Sequence, residues 1–128
     1  MDKIKLVAIL RGIQPAEAAD HIETLINAGF RYIEIPLNSP DWQQSIPAMV
    51  RQFGERAMIG AGTVLKVEQV DFLAEAGAKL IVTPNTAPAV IRRAVDKGML
   101  VCAGCATASE AFSALDAGAQ WLKIFPSS

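Results

Sequence analysis

"AEAGAKLIVTPN", residues 74–85, compresses a helix end, a glycine and a strand into one short stretch. Glycine just past a helical pattern is the usual signal for a helix C-terminus. The run that follows is apolar without the alternation of a half-exposed strand, as expected when a parallel strand is covered on both faces. The same figure recurs along the chain: "INAGFRYIEIP" (26–36), "RQFGERAMIGAG" (51–62), "VDKGMLVCAG" (95–104) and "LDAGAQWLKIFP" (115–126). The glycines are Gly29, Gly54, Gly77, Gly98 and Gly118, spaced by 25, 23, 21 and 20 residues.

Helix-period stretches fill the intervals at 15–28, 40–53, 66–76, 86–97 and 107–117, and an apolar run at 5–10 precedes the first of them. Six strands then alternate with five helices, which means a parallel α/β sheet. A doubly wound open sheet would carry a glycine-rich dinucleotide loop after an early strand. Here R-G-I-Q-P follows the first strand, and G-A-G at 60–62 is a lone weak match. The short repeat fits a (β/α)8 TIM barrel of which six strands and five helices are present.

Composition narrows the class. The 128 residues are 52% hydrophobic and 20% charged, with a net charge of −1. That balance is globular and argues against nucleic acid, which selects a basic surface. The apolar run near the N-terminus is too short for a signal peptide or a membrane span, so a cytoplasmic, membrane-free protein is expected. Cys102 and Cys105 form C-A-G-C ahead of a capping box, T-A-S-E at 107–110. A redox pair is one reading of that spacing. The blander one is a buried strand cysteine, Cys102, and a loop thiol, Cys105. Two cysteines make half a zinc site, and His21 is distant, so no metal is expected.

In a barrel, chemistry gathers at the C-terminal ends of strands. The strands deliver Arg11, Glu34, Gly62 with Thr63, Thr83 to Asn85, Gly104 with Cys105, and Lys123. Glu34 and Lys123 each lie five residues past their glycine, which predicts a shared, inward-facing strand position. Val82 and Ala103 hold the same offset. A buried Glu–Lys pair is either a structural ion pair, costly to desolvate, or a working pair. In the second case the neutral lysine attacks a carbonyl and the carboxyl group moves protons. Arg11 can hold an anion or make a surface ion pair. Thr63 can bind an anion or cap the next helix. Pro84 can set a turn, and Phe125, Trp42 and Trp121 can be packing residues.

L-R-G (10–12), E-I-P-L-N-S-P (34–40), G-A-G-T-V (60–64), V-T-P-N (82–85) and L-K-I-F-P-S-S (122–128) together resemble the class I aldolases of the 2-keto-3-deoxy-6-phosphogluconate and -galactonate family. The resemblance runs through the whole chain. It implies a homotrimeric barrel that cleaves a phosphorylated 2-keto-3-deoxy sugar acid to pyruvate and glyceraldehyde 3-phosphate. No cofactor is implied beyond a covalent lysine imine with the substrate. By position it makes Lys123 the Schiff-base lysine and Glu34 the general acid/base. Arg11 and Thr63 become substrate contacts, and Pro84 and Phe125 line the pocket. Gluconate aldolases usually carry an arginine where this chain has Asn38, so E-I-P-L-N-S-P points to the galactonate branch. The alternatives are a gluconate or 4-hydroxy-2-oxoglutarate aldolase and, from another class, a non-catalytic binding or oligomerisation piece.

The family's barrel continues past P-S-S with two more βα units that carry its phosphate site. Residues 1–128 are therefore expected to form a single, incomplete barrel domain. They would be a fragment of a longer protein, or a unit completed by another chain, with little or no turnover alone.

Overall fold

The computed structural model describes the backbone of residues 7–124 and the side chains of residues 7–122. Phe125 lies outside the described residues, and Lys123 is described as backbone only. The elements follow the predicted alternation: β1 (Val7–Ile9), α1 (Pro15–Asn27), β2 (Tyr32–Pro36), α2 (Trp42–Phe53), β3 (Met58–Gly62), α3 (Val67–Glu75), β4 (Leu80–Thr83), α4 (Pro88–Asp96), β5 (Leu100–Cys105), α5 (Ala108–Asp116) and β6 (Trp121–Ile124). The strands form one parallel sheet in the order β1-β2-β3-β4-β5-β6.

The helices form where the pattern demands. Ala18, Ile22 and Ile26 are four apart and form the buried stripe of α1. Ile46, Met49 and Phe53 do the same in α2. The T-A-S-E capping box is present: the Glu110 N–H donates to Thr107 Oγ1 at 3.1 Å, and the Thr107 N–H donates to Glu110 Oε1 at 3.2 Å. Gly118, after α5, has φ +109° and leaves only 3.0 Å between a built Cβ and Val95 Cγ2, so glycine is needed twice over there. Gly54 departs from that pattern, with φ −59°. The chain turns three residues later, at Ala57, before β3 begins.

The sheet curls. Tyr32 in β2 and Trp121 in β6 meet edge to face, with ring centroids 4.8 Å apart at 81°. Laid flat, strands four positions apart would stand roughly 19 Å from each other at ~4.8 Å per strand. The contact requires a concave face, which is the interior of a partial barrel. On that face Leu80, Val82 and Cys102 pack with Val7, Tyr32, Leu100 and Trp121. The convex face carries the larger core against the helices, including Ile33, Ile59, Ile81, Val101 and Ala103. Bidentate pairs tie neighbouring helical layers, Arg93 to Asp71 at 2.7 and 2.9 Å and Arg56 to Glu23 at 2.7 and 3.2 Å. Each pair holds its carboxyl group below the usual range by hydrogen bonding to the guanidinium. Both are exposed and matter little to stability.

Two expectations are corrected. Ala103 faces the helices and Cys102 faces the interior, so the five-residue offset fails in β5. Met99 is spent on the helix-side core, and the inward set begins one residue earlier than in β4. Cys105 is the last residue of β5, 1% exposed, and not a loop thiol. Three residues apart on one strand, the two cysteines occupy opposite faces, which rules out a paired C-A-G-C redox centre.

Candidate active site

The C-terminal ends of β1 to β4 surround a cavity of about 250 Å³. Arg11, Glu34, Thr63 and Pro84 all line it, together with Asn38 and Thr83. Four of the six sequence-derived candidates thus converge on one space. The side chains of Lys123 and Phe125 are outside the described residues, and the backbone of Lys123 is paired in register with Gly104.

Each position has a local cause. Glu34 sits at the centre of β2, beside Ile9 of β1 and Gly60 of β3, and is 3% exposed. Its carboxylate oxygens lie over Gly62, which offers no side chain. The Thr83 hydroxyl donates to the Asn85 carbonyl at 2.8 Å, closing the turn that leaves Pro84 exposed on the cavity rim. Arg11 follows β1 and is exposed. Among the described residues it makes no ion pair, which leaves its guanidinium open to an anion.

Thr63 does not cap a helix. The residue before α3 is Lys66, and the Leu65 and Lys66 N–H groups donate to Gln69 Oε1 at 2.9 and 3.0 Å. Thr63 instead has φ +55°. A β-branched residue in the left-handed region is strained, by on the order of 1–3 kcal/mol. Backbone strain of this kind clusters at functional sites, and Thr63 stands at the cavity wall. Thr63→Gly is therefore expected to hold or raise the melting temperature by a few degrees, as read by thermal unfolding, although glycine usually destabilises.

Sequence reasoning did not find two features of the wall. Ile9 lines the cavity but looks like ordinary core in the sequence, whereas Val82 lines it as its five-residue offset predicts. The contact between Gly62 and the Glu34 carboxylate has only one trace there, the glycine that ends G-A-G.

The comparisons with known proteins agree with this fold. A family model described as KDPG and KHG aldolase matches residues 1–128. The 2-dehydro-3-deoxy-6-phosphogalactonate aldolase of Escherichia coli (strain K12) is 67% identical over 126 residues, which cover 98% of this chain and 62% of that protein. A solved structure described as "Native KDPGal structure" superposes with a TM-score of 0.95 at 66% identity, covering 100% of this chain and 62% of that one. A second, a cube-shaped protein cage designed by fusing symmetric oligomeric domains, superposes with a TM-score of 0.94 at 66% identity, covering 98% of this chain and 47% of the other. The chain thus spans 62% of the curated relative's length.

Proposed function

This chain belongs to the KDPG and KHG aldolase family, and on that premise we propose that the protein is a class I aldolase acting on 2-dehydro-3-deoxy-6-phosphogalactonate. Its products are pyruvate and glyceraldehyde 3-phosphate. The observation that carries the proposal is the convergence of Arg11, Glu34, Thr63 and Pro84 on one cavity at the strand ends. The protein works in the cytoplasm as a homotrimer. The fused symmetric oligomeric domains of its cage-forming relative favour symmetric assembly.

Lys123 enters the argument by alternation. Trp121 packs on Tyr32 inside the barrel. Lys123 is two residues past Trp121, and Glu34 is two past Tyr32, so the period of a strand carries both one layer up on the same face. Desolvation of a lysine favours its neutral amine, the form this reading requires of Lys123. The amine attacks the C2 ketone of the substrate and expels water, leaving an iminium that accepts electrons from the C3–C4 bond. Glu34 takes the C4 hydroxyl proton, the bond breaks, and glyceraldehyde 3-phosphate departs. Protonation of the enamine at C3 and hydrolysis of the imine release pyruvate and restore the lysine. Arg11 holds an anionic group of the substrate, and Thr63 contacts the pyruvyl portion. The family resemblance assigns Phe125 to the pocket beside Pro84. No metal or organic cofactor takes part.

Asn38 lines the cavity where gluconate aldolases usually carry arginine. That difference favours the galactonate substrate over the gluconate or 4-hydroxy-2-oxoglutarate reading. The test, made on the whole protein to which this activity is assigned, compares cleavage of the two C4 epimers by wild type and by Glu34→Gln. Wild type is expected to prefer the galactonate epimer. Glu34→Gln should lose roughly 10²–10⁴-fold in kcat, the range of a general acid/base, yet still yield a borohydride-trapped pyruvyl adduct. Preference for the gluconate epimer would transfer the protein to the other branch. Full turnover in Glu34→Gln would remove that residue from the mechanism.

A further inference from the structure

The two glycines of G-A-G-T-V face different neighbours, Gly60 the Leu80 backbone of β4 and Gly62 the Glu34 carboxylate. Gly62 is the last residue of β3, is buried and pairs with Pro36 of β2. Its carbonyl accepts a hydrogen bond from the Leu37 N–H at 2.9 Å. Its φ lies outside the left-handed region, so the backbone there would accept alanine. What forbids a side chain is the neighbour. The three atoms nearest to a Cβ built on Gly62 are Oε2, Cδ and Oε1 of Glu34, all inside contact distance. No backbone atom stands among them. The missing side chain of Gly62 is the space that the Glu34 carboxylate occupies.

We propose that Gly62 is a positioning residue for the reaction: it is the floor on which the Glu34 carboxylate rests, and it fixes where that carboxylate meets the substrate. The inference deepens the aldolase reading and depends on it for the word "reaction"; the packing relation itself does not. Glu34 starts two residues below the layer of Gly62, since its register partner in β3 is Gly60. Its side chain must rise along β3 to reach the cavity. Any group larger than hydrogen at Gly62 pushes the carboxylate off that path. A displacement of ~1 Å at a reacting group is enough to cost on the order of 10²-fold in rate.

The experiment uses Gly62→Ala, Glu34→Asp and the double variant Gly62→Ala/Glu34→Asp. Three readouts are taken: thermal unfolding, the ¹³C titration of the residue-34 carboxyl group, and the pH profile of kcat. Gly62→Ala is expected to fold, to retain the borohydride-trapped pyruvyl adduct, to shift the titration midpoint of Glu34 and to lose roughly 10²-fold in kcat. Aspartate is one methylene shorter and withdraws from the new methyl. The double variant should therefore lose much less than the product of the two single losses. Should Gly62→Ala fail to fold, the double variant is expected to fold, because the obstruction is a side chain that can be shortened. A Glu34 titration and pH profile in Gly62→Ala that superpose on wild type would overturn the proposal. So would strictly additive losses, or a double variant as unfolded as Gly62→Ala. The titration also separates this inference from the aldolase reading: absence of any pyruvyl adduct in wild type sinks the reading, and the Glu34 shift still judges the packing.

Discussion

Lys123→Gln is expected to abolish the borohydride-trapped pyruvyl adduct and to lower turnover by roughly 10⁴-fold or more, the scale on which deleting a covalent nucleophile acts. The reason is chemical. Without an amine the C2 ketone stays a ketone, a far poorer electron sink than an iminium for the C3–C4 bond. Glu34 can still meet the C4 hydroxyl, but it has no acceptor to push electrons into. Lys123→Arg is expected to fail equally, because guanidinium remains protonated and does not attack. The two site variants should differ in kind: Glu34→Gln forms the adduct and turns over slowly, and Lys123→Gln forms none. Mass spectrometry of the trapped protein reads the difference directly. An adduct that persists in Lys123→Gln would place the nucleophile elsewhere and remove the β6 argument. Circular dichroism matching wild type shows that the loss is chemical, since the backbone pairing of residue 123 with Gly104 does not depend on which side chain it carries.

The alternation of elements was plain in the sequence because parallel strands and their covering helices leave separate marks. Strands buried on both faces read as short apolar runs, and helices read as stripes such as Ala18, Ile22 and Ile26 that stop at a glycine. Element ends fell within about two residues of the predicted ones. What counting from glycines could not supply was the inward face of every strand. Side chains alternate with a period of two, so a connection shorter by one residue turns a whole strand over. That happens in β5, where Met99 joins the helix-side core and Cys102, not Ala103, looks inward. The four cavity residues Arg11, Glu34, Thr63 and Pro84 were legible because polar or rigid residues at strand ends contrast with the apolar runs before them. Thr63 also hid something. A β-branched residue advertises extended backbone, and its left-handed φ of +55° runs against that preference. A glycine hides the most, since its letter reports that a side chain is missing and not which neighbour fills the room.

Gly60→Ala tests that last point at its most severe, with a larger expected effect on folding than any other substitution considered. Gly60 is paired with Glu34 in β2 and Leu80 in β4. A Cβ built on it falls on the Leu80 carbonyl oxygen, with the Leu80 carbonyl carbon at 2.5 Å and its Cβ at 2.6 Å. Two of those three atoms are backbone and cannot rotate away. Room for a methyl comes only from parting β3 and β4, which overpacks the core on one side and weakens the ladder on the other. Overpacking costs about 1–3 kcal/mol and sometimes more, and each weakened ladder bond adds about 1 kcal/mol. Against a total stability of ~5–15 kcal/mol, the expected result is a melting temperature lower by roughly 10 °C or more, or an insoluble chain. The control is Gly60→Ala combined with Leu80→Ala. Shortening Leu80 does not move its carbonyl, so no rescue is expected, whereas shortening Glu34 should rescue Gly62→Ala. Two alanines two residues apart in one strand should therefore fail differently, one through the backbone of the neighbouring strand and the other through a single carboxylate. A Gly60→Ala protein that melts within a degree or two of wild type would mean that β3 and β4 stand farther apart than the close pairing at Gly60 and Leu80 requires.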